Sequence, residues 1–262
     1  MPTPPNIGTL VAWYQNGTGI TTGSTFTWAD QSGNNYNASQ STSGKQPTVN
    51  AGDGQYNSRT TLSFASASSQ YLEYSTGFSL TQPFTLMVIG NNDGTSAGQI
   101  FCGHQTSPAI LYSTSTTAVK YSAGSGISYT VSAGYMATPR IYVVVFNGAS
   151  SALYINTGTA VSTGNAGANN PSGAFFLGSD VSTSNFLNGK LMEVAIWSGT
   201  PSVVQIIQYG QSLLFSSVLM DSMDFRRKSN SRAQPVRPRD VRRIRPLTSG
   251  YVSSLSSAGL FR

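Results

Sequence analysis

Short apolar segments recur from Leu10 to Trp197, each bounded by polar turn residues. They run from Leu10 to Tyr14, Thr61 to Phe64, Tyr71 to Tyr74, Phe84 to Ile89, Ile100 to Cys102, Ile141 to Phe146, Ala152 to Ile155, Ala174 to Leu177 and Leu191 to Trp197. The separators, such as Gln31-Ser32-Gly33-Asn34-Asn35 and Asn91-Asn92-Asp93-Gly94, are rich in residues that close tight turns. This cadence predicts an antiparallel sandwich or barrel, not a doubly wound sheet. Apolar and polar positions alternate only weakly through Arg140 to Phe146, which predicts a strand covered on both faces or lying at a sheet centre. One helix is predicted after the last strand. Thr200 can cap it, Pro201 suits its first position, and Val203, Ile206, Ile207, Leu213 and Leu214 form an apolar side that can pack on the sheets.

Composition sharpens this picture. The 262 residues can bury a substantial core without covalent staples. Charged residues make up only 9%, far below the roughly 25% of ordinary soluble domains, so Ser, Thr, Asn, Gln and Gly must supply most of the polar surface. Cys102 is the only cysteine, which excludes an intrachain disulfide framework and a multi-cysteine metal site. The start, Met1 to Asn6, lacks the basic segment and apolar run of a secretory signal. No stretch approaches the ~18 apolar residues of a membrane-spanning helix. The expectation is a protein made and assembled in a cytoplasm.

Charge divides the chain in two. Before Met220 there are five basic residues (Lys45, Arg59, Lys120, Arg140, Lys190) against six acidic ones (Asp30, Asp53, Glu73, Asp93, Asp180, Glu193), a net of −1. From Met220 onward ten basic residues face three acidic ones, a net of +7. The apolar patterning stops at the same boundary, so residues 1–218 are expected to form a β domain and residues 219–262 an extended basic arm.

Several stretches then carry a resemblance, in this order. Leu10-Val11-Ala12-Trp13-Tyr14 followed by Trp28-Ala29-Asp30-Gln31-Ser32-Gly33-Asn34, the strands Gln70-Tyr71-Leu72-Glu73 and Phe84-Thr85-Leu86-Met87-Val88, the hairpin Arg140 to Val144 with Leu153-Tyr154-Ile155-Asn156, and the closing Phe186-Leu187-Asn188-Gly189-Lys190-Leu191-Met192-Glu193-Val194-Ala195-Ile196-Trp197 are similar to the concanavalin A-like, laminin-G-like jelly-roll superfamily. The likeness is strongest to copies found in bacteriophage and bacterial surface proteins. It covers roughly Gly8 to Leu214 and departs from the pattern where Thr157 precedes the hairpin glycine. It implies an all-β fold, an antiparallel β-sandwich of the concanavalin A-like jelly-roll type with one short C-terminal helix, followed here by the basic arm.

That superfamily includes glucanases, so a hydrolase has to be weighed. Glycoside hydrolysis needs two carboxyl groups facing one cleft, about 5 to 9.5 Å apart. The only glutamates, Glu73 and Glu193, stand far apart in sequence, the E-x-D-x-E strand of the glucanase branch is absent, and both are expected on solvated strand faces or paired with a basic residue. Gly94-Thr95-Ser96-Ala97-Gly98 matches the G-x-S-x-G of serine hydrolases, whose serine works on a strand-to-helix turn. Here it falls between two predicted strands, with no acid between Ser96 and the lone His104, and is read as a chance match. No catalytic residue and no cofactor are therefore expected. Calcium is the one metal considered, because Asn91, Asn92 and Asp93 offer hard oxygens, although such a turn needs no metal. Sugars dock on aromatic faces ringed by amides and hydroxyls. Trp13, Trp28 and Trp197 fall in the framework pattern, which leaves the loop tyrosines Tyr112, Tyr129 and Tyr135 as unranked glycan-binding candidates.

The arm holds the most concentrated chemistry: Arg226, Arg227, Arg237, Arg239, Arg242, Arg243 and Arg245, interrupted by Pro235, Pro238 and Pro246, which oppose a continuous helix. Three readings compete: a solvated tail, neutralisation of nucleic-acid phosphates, and docking onto carboxylates of a partner protein. Tyr251, Leu255 and Phe261 favour docking, since phosphate binding does not require apolar side chains. The combined expectation is a non-enzymatic phage virion protein, such as a capsid decoration, head fibre or tail component. Such a protein would be present in many copies or as a homo-oligomer, anchored to capsid or tail proteins by the arm, with a body that contacts host surface glycans. The alternatives are a free carbohydrate-binding or glycan-hydrolysing protein, and a nucleic-acid-associated structural protein.

Overall fold

A computed structural model describes residues 3–106, 109–180 and 185–215. After a four-residue helical turn, α1 (Pro4–Ile7), come β1 (Leu10–Tyr14), β2 (Ile20–Thr21), β3 (Phe26–Trp28), β4 (Ala38–Gln40), β5 (Thr48–Asp53) and β6 (Arg59–Phe64). The middle of the chain forms β7 (Leu72–Ser79), β8 (Phe84–Asn92), β9 (Ile100–His104), β10 (Ala109–Ser115), β11 (Ala118–Ser122) and β12 (Gly126–Thr130). Then follow β13 (Arg140–Phe146), β14 (Ser151–Ile155), β15 (Ala160–Gly164), β16 (Ser172–Leu177), β17 (Gly189–Ser198) and the helix α2 (Val203–Leu214).

These strands build two antiparallel sheets. One has the order β15-β14-β13-β8-β17-β6-β5, with β1 also paired to β17; the other has the order β12-β11-β10-β9-β16-β7-β4-β3-β2. Strands distant in sequence therefore become neighbours: Trp13 of β1 lies opposite Ala195 of β17, and Phe176 of β16 opposite Glu73 of β7. All nine predicted apolar segments fall in strands, with Tyr71 alone standing one residue before β7, and β13 sits between β8 and β14 with both faces buried, as its weak alternation predicts. The architecture is the expected β-sandwich.

Burial explains why the chain closes this way. Between the sheets, Tyr14, Trp28, Leu62, Leu72, Phe101, Tyr142, Phe175 and Val194 belong to one apolar cluster. A second cluster lies on the outer face of the eight-stranded sheet, where Ile206, Ile207, Leu213 and Leu214 of α2 cover Met87, Ile89, Ile141 and Val143. The helix thus packs on the sandwich as expected, but it starts later than the Thr200-Pro201 reading: Ser202 is the cap, its Oγ accepting from the Gln205 N–H at 3.4 Å. Ser202 holds the extended backbone of a cap and reaches the third backbone N–H beyond it, which is the contact that stabilises a first turn. The nine-stranded sheet is different. No helix among the described residues covers its outer face.

Candidate functional site

The outer face of the nine-stranded sheet is mapped by its register. Paired residues share a face, so Thr21, Thr27, Ser39, Glu73 and Phe176 form one row across β2, β3, β4, β7 and β16. Their sequence neighbours Trp28, Ala38, Leu72 and Phe175 point into the core. Tyr112, Lys120 and Ser128 continue the same face on β10, β11 and β12.

On this face lies a cavity of about 530 Å³ lined by Ile100, Tyr112, Thr114, Ser122, Asn169, Asp180 and Asn185. Close packing shapes its walls. Lys120 places its Nζ 5.6 Å from the Tyr112 ring centroid, and its stem passes over Gly126, where a Cβ would come within 1.9 Å of Lys120 Cε. Only glycine at 126 leaves the lysine in this position. Gly124 has a φ of +103°, and a Cβ there would lie 2.8 Å from the Asn169 amide, so glycine answers both the backbone and the space. The Asn169 backbone N–H donates to the Ala123 carbonyl at 2.8 Å, tying that loop to the end of β11. On the other side, Asn185 Nδ2 donates to Asp180 Oδ2 at 3.2 Å, and Asp180 is buried. The result is one aromatic face, two amides, a carboxylate and two hydroxyls around a space the size of small-ligand pockets.

Of the three tyrosine candidates, Tyr112 lines this cavity. Tyr129 packs against the core from the edge strand β12, and Tyr135 lies under the Arg140 guanidinium at 3.9 Å. Trp13, Trp28 and Trp197 are framework residues, as expected. Each is buried and donates its indole N–H inward, to Glu193 Oε1, the Gln15 carbonyl and the Pro4 carbonyl respectively.

Of the two glutamates, Glu193 requires correction, while Glu73 lies on an outward strand face as expected. Glu193 does not stand on a solvated face; it is fully buried, accepting from the Trp13 indole and the Tyr209 hydroxyl at Oε1 and from the Asn16 N–H at Oε2. Burial pushes its carboxyl above the usual carboxylate range in spite of these donors. Glu73 is half-buried and, among the described residues, has no ion pair or hydrogen bond; burial raises its carboxyl too. Glu193 faces α2 from one sheet and Glu73 faces outward from the other, so they share no cleft.

The Asn91-Asn92-Asp93 turn is held by its own hydrogen bonds. Asp93 accepts from the Thr95 and Ser96 backbone N–H groups, both their hydroxyls, and the Gln99 and Asn188 amides. These donors hold its carboxyl well below the usual range against the desolvation of partial burial. Asn91 Oδ1 accepts from the Tyr56 hydroxyl at 2.6 Å and Asn92 Oδ1 from the Gly94 N–H at 2.9 Å. With six donors aimed at the one carboxylate, the arrangement does not fit calcium. Among the described residues no three His, Cys, Asp or Glu side chains gather as metal ligands. Ser96 Oγ donates to Asp93 in the loop between β8 and β9, while His104 is buried with its Nδ1 accepting the Thr106 N–H at 3.1 Å, so the two do not meet.

The arm candidates Arg226, Arg227, Arg237, Arg239, Arg242, Arg243, Arg245, Tyr251, Leu255 and Phe261 lie outside the described residues. No helix among the described residues is long and apolar enough to cross a membrane.

No protein-family model and no curated protein matches the chain. Solved structures do match in fold. The binding domain of Paraclostridial Mosquitocidal Protein 1 aligns with a TM-score of 0.54 at 14% identity, over 78% of this chain and 52% of that one. The botulinum neurotoxin serotype D binding domain aligns with a TM-score of 0.51 at 12% identity, over 78% and 52%. A Trypanosoma rangeli sialidase in complex with a difluorinated keto-deoxy-nononic acid aligns with a TM-score of 0.50 at 14% identity, over 81% and 33%. The chain spans about half the length of the toxin domains and about a third of the sialidase. At such identities the likeness is one of fold, a β-sandwich compatible with the jelly-roll superfamily.

Proposed function

We propose that this protein binds glycans on the outer face of its nine-stranded sheet and does so as a non-enzymatic component of a phage virion. The observation that carries the binding reading is the cavity around Tyr112. A ring face for the apolar side of a sugar stands there with the amides of Asn169 and Asn185, the Asp180 carboxylate and the hydroxyls of Thr114 and Ser122. A glycan array probed with the full chain and with Tyr112→Ala tests it. The wild type is expected to retain a restricted set of glycans and the variant to lose them by tenfold or more, the scale of one good aromatic contact. Silence of the wild type across a broad panel would overturn the binding role. The virion reading rests on the phage-like sequence pattern and on the charge division at Met220, which gives a nearly neutral body a strongly basic extension suited to docking on acidic partner surfaces.

A further inference from the structure

We propose that the same sheet face carries a second sugar subsite, centred on Glu73 and Tyr71, which takes a neutral sugar presenting two neighbouring hydroxyl groups. It rests on the glycan reading above but stands on different residues.

A pocket of about 270 Å³ opens beside β4 and β7, lined by Ser39, Gln40, Thr42, Tyr71, Glu73 and Ser75 among others. Among the described residues its one charged wall residue is Glu73, whose half-buried carboxylate meets no donor there. A carboxylate in this state gains from any ligand that brings O–H donors, because it has lost water without replacing it. Two adjacent sugar hydroxyls match its two oxygens. Tyr71 supplies the ring face. It packs against Phe176 at 6.3 Å and Phe186 at 6.2 Å between ring centroids.

The walls are fixed before any ligand arrives. Gln46 Nε2 donates to the carbonyls of Gln40, Gly23 and Ser24, Thr42 N–H donates to Gln40 Oε1, and Tyr71 N–H donates to the Lys45 carbonyl. Little ordering therefore has to accompany binding. Charge selects a neutral sugar: Glu73 repels an acidic one, while Lys45, with its Nζ 6.0 Å from the Tyr71 centroid, disfavours an amine. Between Glu73 on β7 and Tyr112 on β10 lie three strand spacings, roughly 14 Å, more than one sugar ring covers. The two pockets are separate subsites that an oligosaccharide can occupy together.

Crystals of the full chain soaked with neutral oligosaccharides at high concentration test both sites at once, with calorimetry on Glu73→Gln as the solution check. Sugar density against Glu73 and Tyr71, with affinity falling about tenfold or more in Glu73→Gln while its melting temperature is unchanged, is the expected result. Density at Tyr112 alone, with Glu73→Gln binding like wild type, overturns the second subsite and leaves the first. Density at Glu73 alone removes the Tyr112 site and keeps this one. Density at neither, or a preference for acidic sugars at Glu73, overturns the proposal.

Discussion

Replacing Glu193 should separate the helix α2 from the sandwich energetically. This carboxylate accepts from Trp13 Nε1 at 2.7 Å, from the Tyr209 hydroxyl and from the Asn16 N–H at 3.2 Å, and so links β17 to β1, to the loop after it and to α2. Glu193→Ala leaves three donors in a buried space with no acceptor. At about 1–3 kcal/mol for each stranded group, partly relieved by relaxation, the cost is roughly 3–5 kcal/mol. Glu193→Gln keeps an oxygen for Trp13 and Tyr209 but turns an amide N–H₂ toward the Asn16 N–H, so its cost is smaller, about 1–2 kcal/mol. Urea denaturation measures both, and hydrogen exchange should show the backbone amides of α2 losing protection first in the Ala variant. The pH response has a definite sign. Since burial raises the Glu193 carboxyl above its unfolded value, the folded state holds the proton more tightly. The stability from this group is full below the unfolded value and is lost as pH rises through the folded one, a trend that Glu193→Gln should lack. An Ala variant within about 1 kcal/mol of wild type would refute the reasoning, and would mean that water enters and satisfies the three donors.

Two further outcomes follow from other parts of the chain. His104 is fully buried, 5.8 Å from the Phe78 ring, its Nε2 has no partner among the described residues, and burial lowers its pKa to about 4 from an ordinary value near 6.5. Its contribution is therefore full above about pH 6.5 and is lost as pH falls toward 4; between pH 7 and about pH 4.5 the wild type should lose about 2.5 kcal/mol more than His104→Asn in chemical denaturation, and equal losses would contradict this. For the arm, binding to nucleic acid through about seven phosphates would give a slope near −6 in log affinity against log salt, whereas docking on a protein partner with apolar help from Tyr251, Leu255 and Phe261 should respond less steeply. A slope that steep would move the arm from protein docking to nucleic-acid contact.

What the amino-acid sequence determined by itself was the class of fold and the strands that build its centre. Phe84–Asn92, Arg140–Phe146 and Gly189–Ser198 are buried along most of their length, so their apolar runs announce themselves without any knowledge of neighbours. The strands left unread, Ile20–Thr21, Phe26–Trp28, Ala38–Gln40, Thr48–Asp53, Ala109–Ser115, Ala118–Ser122, Gly126–Thr130 and Ala160–Gly164, are short or rich in Ser, Thr and Gly. Many turn one side to solvent, and in a chain whose surface is made of small uncharged residues a polar strand face reads like a loop. Tertiary structure alone decided the rest. The burial of Glu193 follows from a register shift between Leu191 and Glu193 against Phe84–Asn92, together with a helix laid over that face; neither is visible in local periodicity. The Tyr112 cavity draws on residues from 98 to 185, and the Glu73 pocket joins one strand to a loop some thirty residues earlier. Such sites are made by which strands become neighbours, and pairing across long separations leaves no mark on the spacing of residues along the chain.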